Sequence, residues 1–305
     1  MGVYIDGVGK ISSGQPGITD FTSTVPSSKL RRCCRYTKLA ASCADLALQD
    51  CSGYSDLSPY RIGTVVSTGY GSSEYYIQFA DEVVQDDPQI CSPSVFAQTV
   101  PNTCLGQICI INGFKGAGTL LRGGDPLEYS SLLLKLGKAD MILCGQVEEW
   151  SDELMESFGD LDPSRGARFA EGAVFAVLRT NATDKTYCEV LSSSSVNLGF
   201  NPLLDKNDDL TDLIAEVLNG YTDEVIYTSA NGTWFDDREL EAVKRSMGDV
   251  VCVSPKETYG EALGSSFMLS VVQAAVDLRD RKYKSAVVTG FDMSGNYMAV
   301  RLGAL

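Results

Sequence analysis

Apolar residues recur along this chain in two alternating rhythms. A spacing of three to four places Leu39, Cys43 and Leu46 on one face of a helix over 36–50, and similar stripes predict helices over 127–137, 209–219, 236–247 and 261–281. Between them lie short apolar runs bounded by glycine or polar residues: RIGTVVST at 61–68, MILCGQV at 141–147, AVFAVLR at 173–179, EVIYTSA at 224–230, DVVCVS at 249–254 and SAVVTGF at 285–291. Strands that are apolar at every position need cover on both faces, so their alternation with helices predicts an α/β chain with buried, largely parallel strands. The order strand, turn, long helix, strand occurs twice, in LLRGGDPLEYSSLLLKLGKADMILCG and in VCVSPKETYGEALGSSFMLSVVQAAVDLRDRKYKSAVVTGF. That echo predicts a duplicated α/β unit. No Pro/Gly/Ser-rich linker divides the centre, and the reading is one compact domain, 1–305, with an N-terminal half over 1–180 and a C-terminal half over 181–305.

Two corners of this pattern invite chemistry. Asp125-Pro126-Leu127-Glu128 is a capping box with proline at the first helical position, so a helix starts at 126 and Gly123-Gly124 turns into it. Backbone N–H groups and the positive end of the helix dipole converge at such a start, and many enzymes place a nucleophile there. This chain offers Gly, Gly and Asp. The second corner, TSANGTWFDDRELEAVKR at 228–245, runs from a strand through Asn231-Gly232-Thr233 into a charged amphipathic helix. Asn231 is the side chain it presents, although an Asn-Gly pair also favours a turn for its own sake.

Composition narrows the choices. At 305 residues and 44% hydrophobic content the chain can bury one large core or two moderate ones. A balance of 25 Lys+Arg against 40 Asp+Glu, net −15, disfavours nucleic acid and anionic membrane as partners. One basic cluster, Lys29, Arg31, Arg32, Arg35 and Lys38, runs against that trend, as a solvated helix start or as a local contact for an anion. There is no histidine. The ten cysteines contain no CxxC pair, so a zinc site would need four of them gathered from distant segments, and they read as small buried hydrophobes in a reducing compartment; no metal and no cofactor is expected. MGVYIDGVGK lacks a basic flank followed by an apolar core and no run approaches a membrane span, which predicts a cytoplasmic protein. Met1-Gly2 would need Ser or Thr at position 6 for myristoylation and finds Asp6; the sequons at Asn181 and Asn231 have no meaning without secretion.

Six segments in order carry a resemblance: PNTCLGQICIINGFKGAGT (101–119), LGKADMILCGQVEE (136–149), RGARFAEGAVFAVL (165–178), TSANGTW (228–234), PKETYGEALGSS (255–266) and AVVTGFDMSGN (286–296). They are similar, respectively, to the lead-in strand, the ADxxxxGG(A/V)E strand, the EGA strand, the NAHGT loop, the GHxxGA loop and the GFGGTN loop of the β-ketoacyl synthases of fatty acid and polyketide synthesis. The resemblance implies the thiolase-like fold, two duplicated α/β halves in a five-layered αβαβα arrangement, normally dimeric. It also implies a cysteine at the first-half helix start and two histidines on second-half loops. Here the elbow falls within Arg122–Asp125, the segment from Gly116 to Asp140 is several residues short, and Gly124 and Asp125 occupy the elbow with no Cys or Ser. Asn231 stands in the NAHGT position and Glu261 in that of the second histidine. Lys256 and Phe291 are kept, and Asp292-Met293 replaces the Gly-Gly after that phenylalanine.

Those exchanges remove the family's chemistry, because thioester attack needs an ionised nucleophile and decarboxylation needs donors aimed at the developing enolate. Glu261 is expected to be ionised near neutral pH unless deeply buried, and a neutral, buried Glu261 paired to Lys256 is expected ahead of a catalytic role. The resemblance therefore implies a non-catalytic subunit similar to a ketosynthase β subunit or chain-length factor. Such a chain pairs with an active ketosynthase in polyketide, fatty acid or polyene synthesis and shapes the acyl tunnel, Phe291, Asn231 and Thr233 lining its share of the pocket. Acyl carrier proteins are acidic, so delivery is expected through the active partner, with Arg31, Arg32 and Arg35 as a possible carrier contact. Two alternatives stand beside it: an acyltransferase or ketosynthase-like enzyme with relocated groups, Cys104 as nucleophile or Glu261 as base, and a homodimeric protein binding an acyl or lipid ligand.

Overall fold

The computed structural model describes residues 2–12, 21, 23–85, 91–207 and 209–305. Its strands are β1 (Tyr4–Ser12), β2 (Ile62–Thr68), β3 (Gly118–Arg122), β4 (Met141–Glu148), β5 (Gly172–Arg179), β6 (Cys188–Asn197), β7 (Val225–Tyr227), β8 (Val251–Val253), β9 (Ser285–Phe291) and β10 (Asn296–Gly303). The helices are α1 (Ser27–Leu30), α2 (Arg35–Asp50), α3 (Ser73–Gln85), α4 (Pro93–Phe96), α5 (Thr103–Asn112), α6 (Pro126–Lys135), α7 (Asp152–Gly159), α8 (Leu210–Leu218), α9 (Phe235–Met247), α10 (Lys256–Tyr259) and α11 (Ser266–Arg279). Hydrogen bonding runs in the order β3-β2-β4-β5-β1 and then β6-β10-β9-β7-β8, so the second half repeats the first in reverse. Only two residue pairs, Tyr4 with Glu189 and Ile5 with Cys188, join them.

Side-chain alternation separates the layers. In β4 and β5, Ile142, Cys144, Val174 and Ala176 face Leu127 and Leu134 of α6 and Met268 and Val271 of α11. Their neighbours Met141, Leu143, Phe175 and Val177 face Leu39 and Cys43 of α2 and Ile108 of α5. In the other half Val225, Tyr227, Ala286 and Val288 share the α11 layer, while Ile226, Val287 and Ala299 pack on Ile214 of α8 and Phe235 of α9. Because a strand's successive side chains point to opposite faces, this gives five layers, helix, sheet, helix, sheet, helix, with α6 and α11 in the middle. The thiolase-like α/β fold is therefore the fold of this chain.

Four expectations change. The sheet is mixed: β3-β2-β4 and β8-β7-β9 are parallel, but β4-β5-β1-β6-β10-β9 is antiparallel. The β9–β10 connection spans only 292–295, which permits an antiparallel pair and excludes a crossover. The lead-in segment expected as a strand is helix α5, closed by Gly113 at φ 72°, with β3 starting only at Gly118; an unbroken apolar run has no period to tell the two apart. The helix expected from 261 begins at Ser266, after a 3-10 turn at 263–265. Finally, β8 is a sheet edge whose Val251 and Cys252 are exposed, whereas six of the ten cysteines are buried. No helix among the described residues is long and apolar enough to cross a membrane.

Candidate functional site

The start of α6 and the second-half loops meet at the turn Phe291-Asp292. Gly123 and Gly124 enter α6 at φ 78° and 81°, the left-handed region that disfavours a residue with a Cβ. Asp125 caps the helix, its Oδ1 accepting from the Leu127 N–H at 2.7 Å; burial pushes its carboxyl up to about 7. Asp292, from the far side of the chain, accepts from the Gly124 N–H. Its Oδ1 also accepts from the N–H groups of Ser294 (2.8 Å) and Asn296 (3.0 Å), and its Oδ2 from the Asn296 side chain (2.8 Å). A Cβ on Gly123 would lie 2.6 Å from that Oδ2. A cysteine at 123 meets the carboxylate and one at 124 meets the backbone angle, so neither position of this elbow accommodates a thiol without strain.

On the other side of Phe291 the two histidine-equivalent positions bond to each other. Asn231 Nδ2 donates to Glu261 Oε2 at 2.8 Å and Lys256 Nζ donates to the same oxygen at 2.6 Å. Ser266 Oγ donates to Oε1 at 2.7 Å and is itself held by the Ala262 N–H. Both carboxylate oxygens are thus engaged, and Glu261 forms a buried pair with Lys256. Lys256 Nζ also lies 4.4 Å from the centre of the Phe291 ring. Asn231 spends its Oδ1 on the N–H (3.2 Å) and hydroxyl (2.7 Å) of Thr233, which stiffens the turn into α9. Asn231, Thr233, Lys256 and Glu261 thus direct their donors and acceptors at one another beside Phe291, while Gly124 bonds to Asp292 and Asp125 to Leu127.

An open cleft of about 530 Å³ lies against Tyr70, Ile77, Pro101, Leu154 and Arg122 of the elbow. The cavity beside Tyr70, Asn201, Leu203, Leu263, Phe291 and Asp292 measures about 10 Å³, enough for one water molecule. Its roof is fixed by two glutamates at the end of β4 that sequence reasoning quoted only as part of a motif. Glu148 accepts from Thr68 Oγ1 (3.0 Å) and from the N–H groups of Gly69 (2.7 Å), Tyr70 (2.8 Å) and Gly71 (2.9 Å); burial pushes its carboxyl up while these donors pull it down. Glu149 accepts from the Glu74 N–H at the start of α3 (3.2 Å), and burial pushes it up to about 8. Two adjacent carboxyls closing an otherwise apolar strand were the available signal for both.

The remaining candidates lie elsewhere. Cys104 is fully buried beside Tyr36 Oη at 3.4 Å, and burial pushes its thiol up to about 12, so it is a packing residue and not a thiolate. Arg31 and Arg32 are exposed and line an open cleft of about 570 Å³ with Lys29, Gln98, Thr103 and Gln107. Arg35 leaves that group: its guanidinium binds both oxygens of buried Glu171.

No family profile matches the chain. In sequence it is similar to the ketoacyl synthase alpha subunit of the tetracenomycin polyketide synthase of Streptomyces glaucescens, 25% identical over 79% of this chain and 68% of that one. Solved structures share its fold along the whole chain. A β-ketoacyl synthase from Burkholderia phymatum superposes with a TM-score of 0.85 at 15% identity, covering 100% of this chain and 99% of that one. The ishigamide ketosynthase/chain length factor gives 0.83 at 18%, and a type II polyketide synthase acyl-carrier protein in complex with its ketosynthase bound to the hexaketide gives 0.81 at 16%, each again with 100% and 99% coverage. The chain has the ketosynthase fold and resembles, in sequence, a ketosynthase subunit of a type II polyketide synthase.

Proposed function

We propose that this chain is a cytoplasmic, non-catalytic ketosynthase-like subunit that pairs with an active β-ketoacyl synthase in polyketide or related acyl-chain synthesis, in the manner of a chain-length factor. The observation that carries the reading is the elbow: two left-handed glycines with a carboxylate against them where an acyl-accepting thiol would stand. The cross-bonded Asn231, Lys256 and Glu261 add to it, since the amide and the ammonium are both directed at one oxygen of Glu261. The ketosynthase/chain length factor neighbour and the carrier-protein complex support a ketosynthase partner and a carrier in the same assembly.

The surface offers a place for that partner. Strand β3 ends the sheet, with Thr119, Leu120 and Leu121 half-buried, and on adjoining α5 Ile110 is 75% exposed. An unpaired edge beside exposed apolar side chains is open to strand or helix pairing by another chain. Purified alone and given an acyl primer with malonyl carrier protein, the chain is expected to form no β-ketoacyl product. Co-expressed with an intact ketosynthase it is expected to copurify, and Ile110→Glu to weaken that pairing at least about tenfold. Condensation by the isolated chain overturns the proposal.

Carrier contact, in this reading, falls to Arg31 and Arg32 without Arg35. Arg31→Glu with Arg32→Glu is expected to slow association of the paired complex with an acidic carrier and to remove much of its salt dependence, read by stopped-flow at two ionic strengths. An unchanged rate would place carrier docking on the partner alone.

A further inference from the structure

We propose that Asp292 is a permanent internal ligand of the elbow, a contact in which the chain's own carboxylate occupies the anion position that the Gly123-Gly124 turn into α6 would otherwise offer. The side chain is 4% exposed and no Lys or Arg forms an ion pair with it among the described residues. Its charge is met by four hydrogen-bond donors, two on each oxygen, which fills the acceptor sites of an ionised carboxylate. Three of the four come from its own turn, Ser294 and Asn296, and would form in any tight loop closed by an aspartate. The fourth does not. Gly124 lies 168 residues away in the other half, in the left-handed turn one residue ahead of the N-cap of a ten-residue helix. The same oxygen takes the space that a side chain on Gly123 would need.

The contact therefore does two things at once. It engages the Gly124 N–H, an elbow donor that could otherwise meet an incoming thioester or carboxylate oxygen, and it ties the two halves together beside the closed cavity. This deepens the non-catalytic reading but is measured on the isolated chain, without partner or carrier, so either can fail while the other stands.

Asp292→Ala vacates the position. Exchange of the Gly124 amide with solvent is expected to accelerate about 10- to 100-fold, the loss of one charge-assisted hydrogen bond, and the melting temperature to fall. Formate, titrated against chloride at equal ionic strength, is expected to restore the melting temperature saturably by entering the vacated place. Asn296→Ala, which removes only a donor of the same turn, should leave Gly124 protection unchanged. If Asp292→Ala does not fold, Asp292→Asn preserves the volume: holding its oxygen toward Ser294 and Asn296 turns an NH₂ against the Gly124 N–H, so fast exchange with no response to formate is expected. Wild-type exchange at Gly124 in whichever Asp292 variant folds, or formate acting no better than chloride on Asp292→Ala, overturns the proposal.

Discussion

Glu148→Ala is expected to destabilise this protein by about 3–5 kcal/mol, among the largest losses any single substitution here can cause. Four donors converge on that carboxylate, three of them consecutive backbone amides of Gly69, Tyr70 and Gly71. A buried N–H left without a partner costs about 1–3 kcal/mol, and the vacated side chain adds a cavity. Part is returned, because burial disfavours the charged form of Glu148 and removing it ends that penalty. Glu148→Gln is expected to lie between: it keeps the volume but turns an NH₂ toward donors that need an acceptor. Equilibrium urea unfolding at neutral pH measures both, and a loss below about 1 kcal/mol for the alanine variant would show that water replaces the carboxylate at the 69–71 turn. Tyr70, which lines the closed cavity and packs edge-on to Phe158 at 5.7 Å, is the side chain whose order should fall with it.

The second large effect is an asymmetry within the Lys256–Glu261 pair. Side-chain exposure is 4% for Lys256 and 1% for Glu261, so each charge depends on its partner. Removing either is not equivalent. Lys256→Met leaves Glu261 with two donors, Asn231 and Ser266, whereas Glu261→Leu leaves a buried ammonium facing only the Phe291 ring. A broken buried pair costs about 3–5 kcal/mol when an uncompensated charge remains. Glu261→Leu is expected to reach that range and Lys256→Met to cost about half of it. The double variant should recover much of the loss, since two apolar groups replace two desolvated charges. A double-mutant cycle in urea reads the coupling directly. Equal losses for the two single variants would show that Asn231 and Ser266 do not hold the carboxylate.

How far these sites were legible depends on the sequence distance their bonds span. The Asp125 cap was readable because it acts on Leu127, two residues away, and the helix began at Pro126 as the capping box required. The α5 run reads as a strand and is a helix, because TCLGQICII is apolar on nearly every position and shows no stripe, although only Cys104 and Ile108 are buried. Strand β6, CEVLSSSSVN, was missed for the opposite reason: its serines carry no hydrophobic signal, and it is held by pairing to β10. Arg35 looked like one member of a basic run until Glu171, 136 residues on, took its charge.

Local pattern, then, determined the alternation of helices and strands and the helix start at 126, because each rests on neighbours within a few residues, while the absence of thiol and imidazole from the site was read through the resemblance. Which strands run antiparallel, that Asn231 and Lys256 share one oxygen of Glu261, and that Asp292 closes on Gly124 were decided only by tertiary structure. Those contacts join segments from 5 to 168 residues apart. Their geometry is set by the packing of five layers around α6 and α11, which no single stretch of the chain encodes.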